Sequence, residues 1–226
     1  MTLRVLTRFV LTVALAFPLA RPAWADRDAD RLYEEAVRQH GTVSVNEQFD
    51  LYARAAEQGH VVAQYNVAMM YANGEGVNVD YQQAVYWFRK SAGQLFAPAQ
   101  FRLGELRYFG MGGLAADPQA AARLFKAAAA QGDPDGCMNL AMMAGSGEAV
   151  PADTGSALSL LECAADGAHE LAPKYTEWLK ASPDGRFSEA QRTEYWDRQR
   201  QYWVDMAAQF GVREAEEAVS GGSPVP

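Results

Sequence analysis

A self-similarity with a spacing of 36 or 37 residues runs through the chain and restricts it to a stack of like units. Residues 63–80, 99–117 and 136–153 align. Each begins at a small residue (Ala63, Ala99, Gly136), passes a glycine (Gly74, Gly110, Gly147) and ends at an acid (Asp80, Asp117, Asp153). Residues 84–92, 121–129 and 157–165 align in the same way. One period upstream, residues 49–56 repeat this second half; one period downstream, 172–179 begin a new first half. A period of this length marks a repeat array.

The pattern within a unit is that of a helical hairpin. Ala63, Val67, Ala68 and Tyr71 share one helix face, as do Ala84, Trp87, Phe88 and Ala92. Gly74 and Gly76 end the first helix and allow a positive φ in the turn. Asp80, Asp117 and Asp153 stand where an N-cap or first-turn acid favours the second helix. Ala68, Gly104 and Ala141 are small enough for paired helices to approach closely. A lone hairpin leaves an apolar face exposed; stacking buries it and generates a solenoid.

The run A-x3-L-G-x2-Y-x2-G-x-G-V-x2-D-x3-A-x2-W-F-x3-A resembles the Sel1-like repeat, a relative of the tetratricopeptide repeat. Residues 63–98 fit it almost throughout. Residues 99–135 carry Leu114 for Val and Leu124 for Trp, and residues 136–171 are degenerate (Gly136, Ala144, Ala149, Leu160). The resemblance implies an all-α, right-handed α-solenoid over residues 26–180, and the residues beyond it, 181–219, read as a long C-terminal capping helix region. It implies binding of another protein or peptide rather than catalysis.

The ends depart from the repeat. Residues 1–25 have the form of a secretory leader: Arg4 and Arg8, an apolar run at 9–20, and Ala23-Trp24-Ala25 as a cleavage motif. The alternative is an uncleaved N-terminal anchor. The expected destination is the periplasm or the exterior, with no stable membrane span after cleavage. Cleavage after Ala25 removes Arg4, Arg8 and Arg21 and no acid, taking the net charge from −8 to −11. Such a chain is repelled by nucleic acid and anionic lipid and suits a basic partner or simple solubility. Residues 28–40 and 48–58 form an atypical first hairpin. A capping box at Ser188 and Gln191 opens a long helix with a stripe of Trp196, Gln199, Trp203, Met206 and Phe210, flanked by Tyr195 and Tyr202. That stripe either lies on the last hairpin or binds a partner. Residues 220–226 are a frayed tail.

Little in the chain points to chemistry. It lacks G-x-S-x-G, a phosphate loop, H-E-x-x-H and C-x-x-C. His60 and His169 hold equivalent places three repeats apart, at roughly 10 Å per repeat, too far to share a metal. No cofactor is expected. Some Sel1-like proteins have been associated with β-lactams, but none of Lys90, Lys126, Lys174 and Lys180 completes a Ser-x-x-Lys. A rival reading, an enzyme acting on cell-wall material, has only single carboxylates such as Glu105 to draw on. Cys137 and Cys163 fall near the start and the end of one hairpin, where antiparallel helices bring them together; they are a disulfide or two buried thiols.

In tetratricopeptide-like arrays the first helices line the concave face. Carried over by alignment, the groove positions are Tyr65, Met69, Ala72 and Asn73, then Phe101, Glu105, Tyr108 and Phe109, then Met138, Met142, Gly145 and Ser146. Aromatic and methionine side chains there suit an amphipathic or extended peptide. Alternatively, they pack on neighbouring helices or under the C-terminal helix.

Overall fold

The computed structural model describes residues 23–209, and side chains over 27–205. The expected leader therefore lies outside the described residues up to position 22, as do Phe210 and the tail. The side chain of Met206 is also outside them.

Among the described residues the chain forms ten helices. They are α1 (Ala23–Arg38), α2 (Val45–Glu57), α3 (Val61–Asn73), α4 (Tyr81–Gly93), α5 (Ala97–Phe109), α6 (Pro118–Ala129), α7 (Pro134–Ser146), α8 (Thr154–Asp166), α9 (Ala172–Ala181) and α10 (Glu189–Gln209). Consecutive helices from α1 to α9 pack side by side, so this is the expected all-α solenoid with a long C-terminal helix.

The turns follow the sequence signals. Gly74, Gly110 and Gly147 are left-handed C-caps at φ 74°, 74° and 75°, each donating its N–H into the last turn. Asp80 accepts from the N–H groups of Gln82 and Gln83, Asp117 from Ala120 and Asp153 from Gly155. The same acids donate their own N–H to the carbonyls of Tyr71, Arg107 and Ala144 at 2.9, 2.9 and 3.0 Å, pinning each loop to its first helix. Gly76, at φ 74°, lies so close to the preceding hairpin that a Cβ would sit 2.6 Å from the Val45 carbonyl oxygen.

The core runs between the two helix layers. Phe88, Phe125 and Leu161 hold equivalent places in α4, α6 and α8 and are fully buried. Each contributes roughly 2 kcal/mol by removal of its apolar surface from water. The small residue opposite is a steric requirement at Gly104, where a Cβ would come within 2.6 Å of the Phe125 ring.

The C-terminal helix takes a longer path than a cap on the last hairpin requires. After α9 the chain turns through residues 182–188, and α10 runs back across the face lined by the first helices, touching α7, α5 and α3. No helix of the described residues is long and apolar enough to cross a membrane.

Candidate partner-binding groove

The inner face is built from α3, α5 and α7, whose helical repeat sends positions three or four residues apart to one side. Tyr65 and Met69 are half-buried there, and Asn73 is buried at the end of α3. Tyr65 packs edge-on against Phe96, with centroids 5.4 Å apart. Phe101, Glu105 and Phe109 on α5 are buried, and Tyr108 is half-buried. Met138 and Met142 on α7 are fully buried, and Gly145 lies beneath the Phe187 ring.

Along α5 and α7 the covering element is α10. The Trp196 ring stacks on Tyr108 at 4.0 Å and meets Phe109 edge-on at 6.3 Å. Tyr195 donates its hydroxyl hydrogen to the Asn139 side-chain oxygen. Trp203 is fully buried and meets Tyr81 edge-on at 6.2 Å. Tyr108 in turn bonds to Glu148 at 2.7 Å; burial first, and then Glu148, raises its phenol far above the usual range. Tyr108 and Phe109 thus lie on a face that already holds a helix, whereas Met138 and Met142 are buried in the fold.

Glu105 is the one charged side chain among those positions, and it is completely buried. Its Oε2 accepts from the Arg102 guanidinium at 2.8 Å. Burial raises its carboxyl to about 7 despite that cation. Arg102 also lies over the rings of Phe101, Tyr202 and Trp203 at 4.9, 4.7 and 5.6 Å. Arg102 and Asn139 are central to this interface and carry no sequence motif of their own. The i, i+3 spacing of Arg102 and Glu105 is a weak signal of pairing on a helix.

The remaining candidates have structural roles. His60 Nδ1 accepts the Ala63 N–H at 3.1 Å and caps α3, and His169 Nδ1 accepts the Leu171 N–H at 3.3 Å. Burial lowers both imidazoles against the pull of Asp30 and Asp135, which keeps Nδ1 an acceptor at neutral pH. The sulfurs of Cys137 and Cys163 lie at disulfide distance and tie the start of α7 to the end of α8. Among the described residues no group of three or more His, Cys, Asp or Glu is placed to hold a metal ion.

Comparison with known proteins agrees with this architecture. A Sel1 repeat protein from Oxalobacter formigenes is 25% identical, with a TM-score of 0.63 over 90% of this chain and 82% of that one. A protective antigen of uropathogenic Escherichia coli strains, displaying an SLR fold, shares the fold at 24% identity and a TM-score of 0.62, over 88% of this chain and 43% of that one. An uncharacterized protein of Neisseria meningitidis serogroup B is 36% identical over 85 residues, 38% of this chain and 17% of the relative. The chain thus spans about a sixth of the length of that curated relative. Residues 49–60, 61–94, 97–133 and 134–169 match the Sel1 repeat, and each match from residue 61 onward opens at the start of a first helix. These matches cover more than half of the sequence, and the chain belongs to the Sel1 repeat family, whose fold is generally non-catalytic and commonly serves as a protein-interaction scaffold.

Proposed function

We propose that this protein is an exported adaptor or regulator that holds another protein by a helical or extended segment laid along the face of α3, α5 and α7. The observation that carries this reading is that the face accepts a helix: the aromatic side chains of α10 seat between Tyr108, Phe109 and Arg102. An amphipathic helix in an apolar groove is a general mode of peptide recognition. Tyr65 and Met69 at the α3 end are half-buried, which leaves them within reach of a partner. Export is supported by the leader-like pattern of residues 1–25 and by the cysteine pair at disulfide distance, which an oxidising compartment favours.

The test is affinity capture from a cell-envelope fraction with the mature chain as bait. A stoichiometric protein partner is expected, and Tyr65→Ser with Met69→Ser should reduce its recovery at least tenfold at unchanged helicity by circular dichroism. Equal recovery by that variant rejects the groove as the binding face. Absence of any partner, together with turnover of labelled wall fragments, rejects the adaptor in favour of an enzyme.

A further inference from the structure

We infer that α10 is a displaceable internal occupant of the groove, and that the external partner is a basic amphipathic helix carrying two aromatic pairs seven residues apart. This rests on the groove reading above and specifies what the groove recognises.

The sequence of α10 is that of a ligand more than of a core helix. Its anchors are Tyr195-Trp196 and Tyr202-Trp203, two identical pairs one heptad apart and so on one helix face; Tyr195, Trp196 and Trp203 are buried and Tyr202 is half-buried. Trp203 is completely buried and Trp196 is 5% exposed. The intervening residues 197–201 are all polar and include Arg198 and Arg200. Aromatic anchors separated by a polar stretch are the usual energetic plan of a reversible helix-in-groove complex.

The interface beneath α10 is incompletely satisfied. Ten buried side-chain polar atoms among the described residues find no hydrogen-bond partner in the protein. Six belong to α10, α5 or α7: Arg102 Nε, Glu105 Oε1, Asn139 Nδ2, Trp196 Nε1, Arg200 Nε and Trp203 Nε1. Each such group keeps an uncompensated desolvation cost when no partner replaces water. That discounts the aromatic burial and keeps docking of α10 weaker than its area implies. It also states what a better occupant would bring. A cation directed at the free oxygen of Glu105 would gain a charge-assisted bond that α10 does not make. The acidic balance of the chain favours the same sign of partner.

The hinge is built to hold one end while the other lifts. The Phe187 N–H donates to the Gly145 carbonyl at 2.9 Å, and Thr154 Oγ1 donates to the Gly185 carbonyl at 2.7 Å. The Phe187 ring occupies the space a Cβ on Gly145 would need, at 2.5 Å. These contacts fix the turn to α7 and α8 ahead of the first aromatic pair. Beside α10 an open cleft of about 510 Å³, lined in part by Arg102, Asp135, Arg198 and Tyr202, gives access to the edge of the docked helix. A tethered occupant acts at high effective concentration, so a competitor must match both aromatic pairs to displace it.

The probe is a fluorescein-labelled peptide with the sequence of residues 187–209, titrated into the full mature chain. Trp196→Ala with Trp203→Ala in the protein should tighten peptide binding at least tenfold relative to wild type by fluorescence anisotropy. The same two changes in the peptide should abolish binding. Equal peptide affinity for wild type and a still-helical double variant overturns the inference. Should the double variant unfold, native-state hydrogen exchange on wild type decides. Exchange of α10 amides through an opening that leaves α5 and α7 protected supports it; a common opening for all three overturns it. A concentration-dependent dimer of wild type with exchanged C-terminal helices overturns the partner assignment in favour of a second copy. Envelope capture separates the two readings. A partner retained equally by wild type and double variant, without peptide competition, removes the displaceable occupant and leaves the adaptor. Enhanced peptide binding with no captured partner does the reverse.

Discussion

The hairpins α5–α6 and α7–α8 are copies of one unit closed by different chemistry. In α5–α6 the Gln131 side-chain amide donates to Gln100 Oε1 at 2.8 Å, clasping the start of the first helix to the end of the second. Gln94 and Gln64 do the same for α3–α4 at 2.7 Å. In α7–α8 the position of Gln64 and Gln100 is Cys137, the position of Gln94 and Gln131 is Gly167, and the clasp is the Cys137–Cys163 pair. Gly167 packs instead against Pro134, where a Cβ would lie 2.5 Å from the ring. The degenerate unit also keeps the loop conformation without its glycine: Ala149, aligned with Gly76 and Gly112, has φ 61°. The turn geometry is what stacking requires, so it persists; the side chains that close the hairpin are interchangeable provided that the ends stay joined.

That contrast can be broken most severely at the cysteines. Cys137→Ser with Cys163→Ser, compared with the oxidised chain, should cost about 3 kcal/mol in guanidinium denaturation on the chain-entropy account. Extra hydrogen exchange should appear first in α7 and α8. A loss as small as that from a glutamine clasp would show that the two closures are equivalent in strength.

The next effect separates α5 from its neighbours at one position, where α3 and α7 carry Met69 and Met142 and α5 carries Glu105. The folded carboxyl sits at about 7, above its ordinary 4.5, because burial outweighs Arg102. The folded state therefore binds the proton more tightly than the unfolded chain. The stability this confers is fully present below about pH 4.5 and is lost as pH rises through about 7. Relative to Glu105→Gln, wild type should lose about 1–2 kcal/mol between pH 5 and pH 8 in thermal or chemical melts. Parallel pH profiles for the two chains would contradict the burial of an ionisable Glu105.

Smaller effects test the interchangeable parts. Gln100→Ala removes the α5–α6 clasp and should cost about 1 kcal/mol, the net value of such a hydrogen bond. Ala149→Gly restores the consensus residue at a left-handed position that penalises a side chain by about 1–2 kcal/mol. Discounted for the added freedom of glycine in the unfolded chain, the gain should be about 0.5–1 kcal/mol by denaturant midpoint. A destabilised Ala149→Gly chain would mean that the third unit has re-optimised around alanine.

The sequence by itself determined the repeat, the helical hairpins and their caps. Those features depend on interactions within four residues or between adjacent units, and such interactions leave periodic marks: the glycine C-caps, the recurring Asp80, Asp117 and Asp153, and the small residue opposite each large one. The closeness of Cys137 to Cys163 followed from the hairpin in the same way. Tertiary structure alone decided the course of α10. An aromatic stripe at 195–203 states that something must cover it and is silent about which face does so. Only the return of the chain over α7, α5 and α3 brings Tyr195 to Asn139 and Tyr202 to Arg102 and fills the inner face with the chain's own helix. Tyr195 and Asn139 lie 56 residues apart in sequence, and Arg102 and Tyr202 lie 100 apart, beyond the reach of any local pattern; they meet because the first helices leave an apolar face that no repeat neighbour covers.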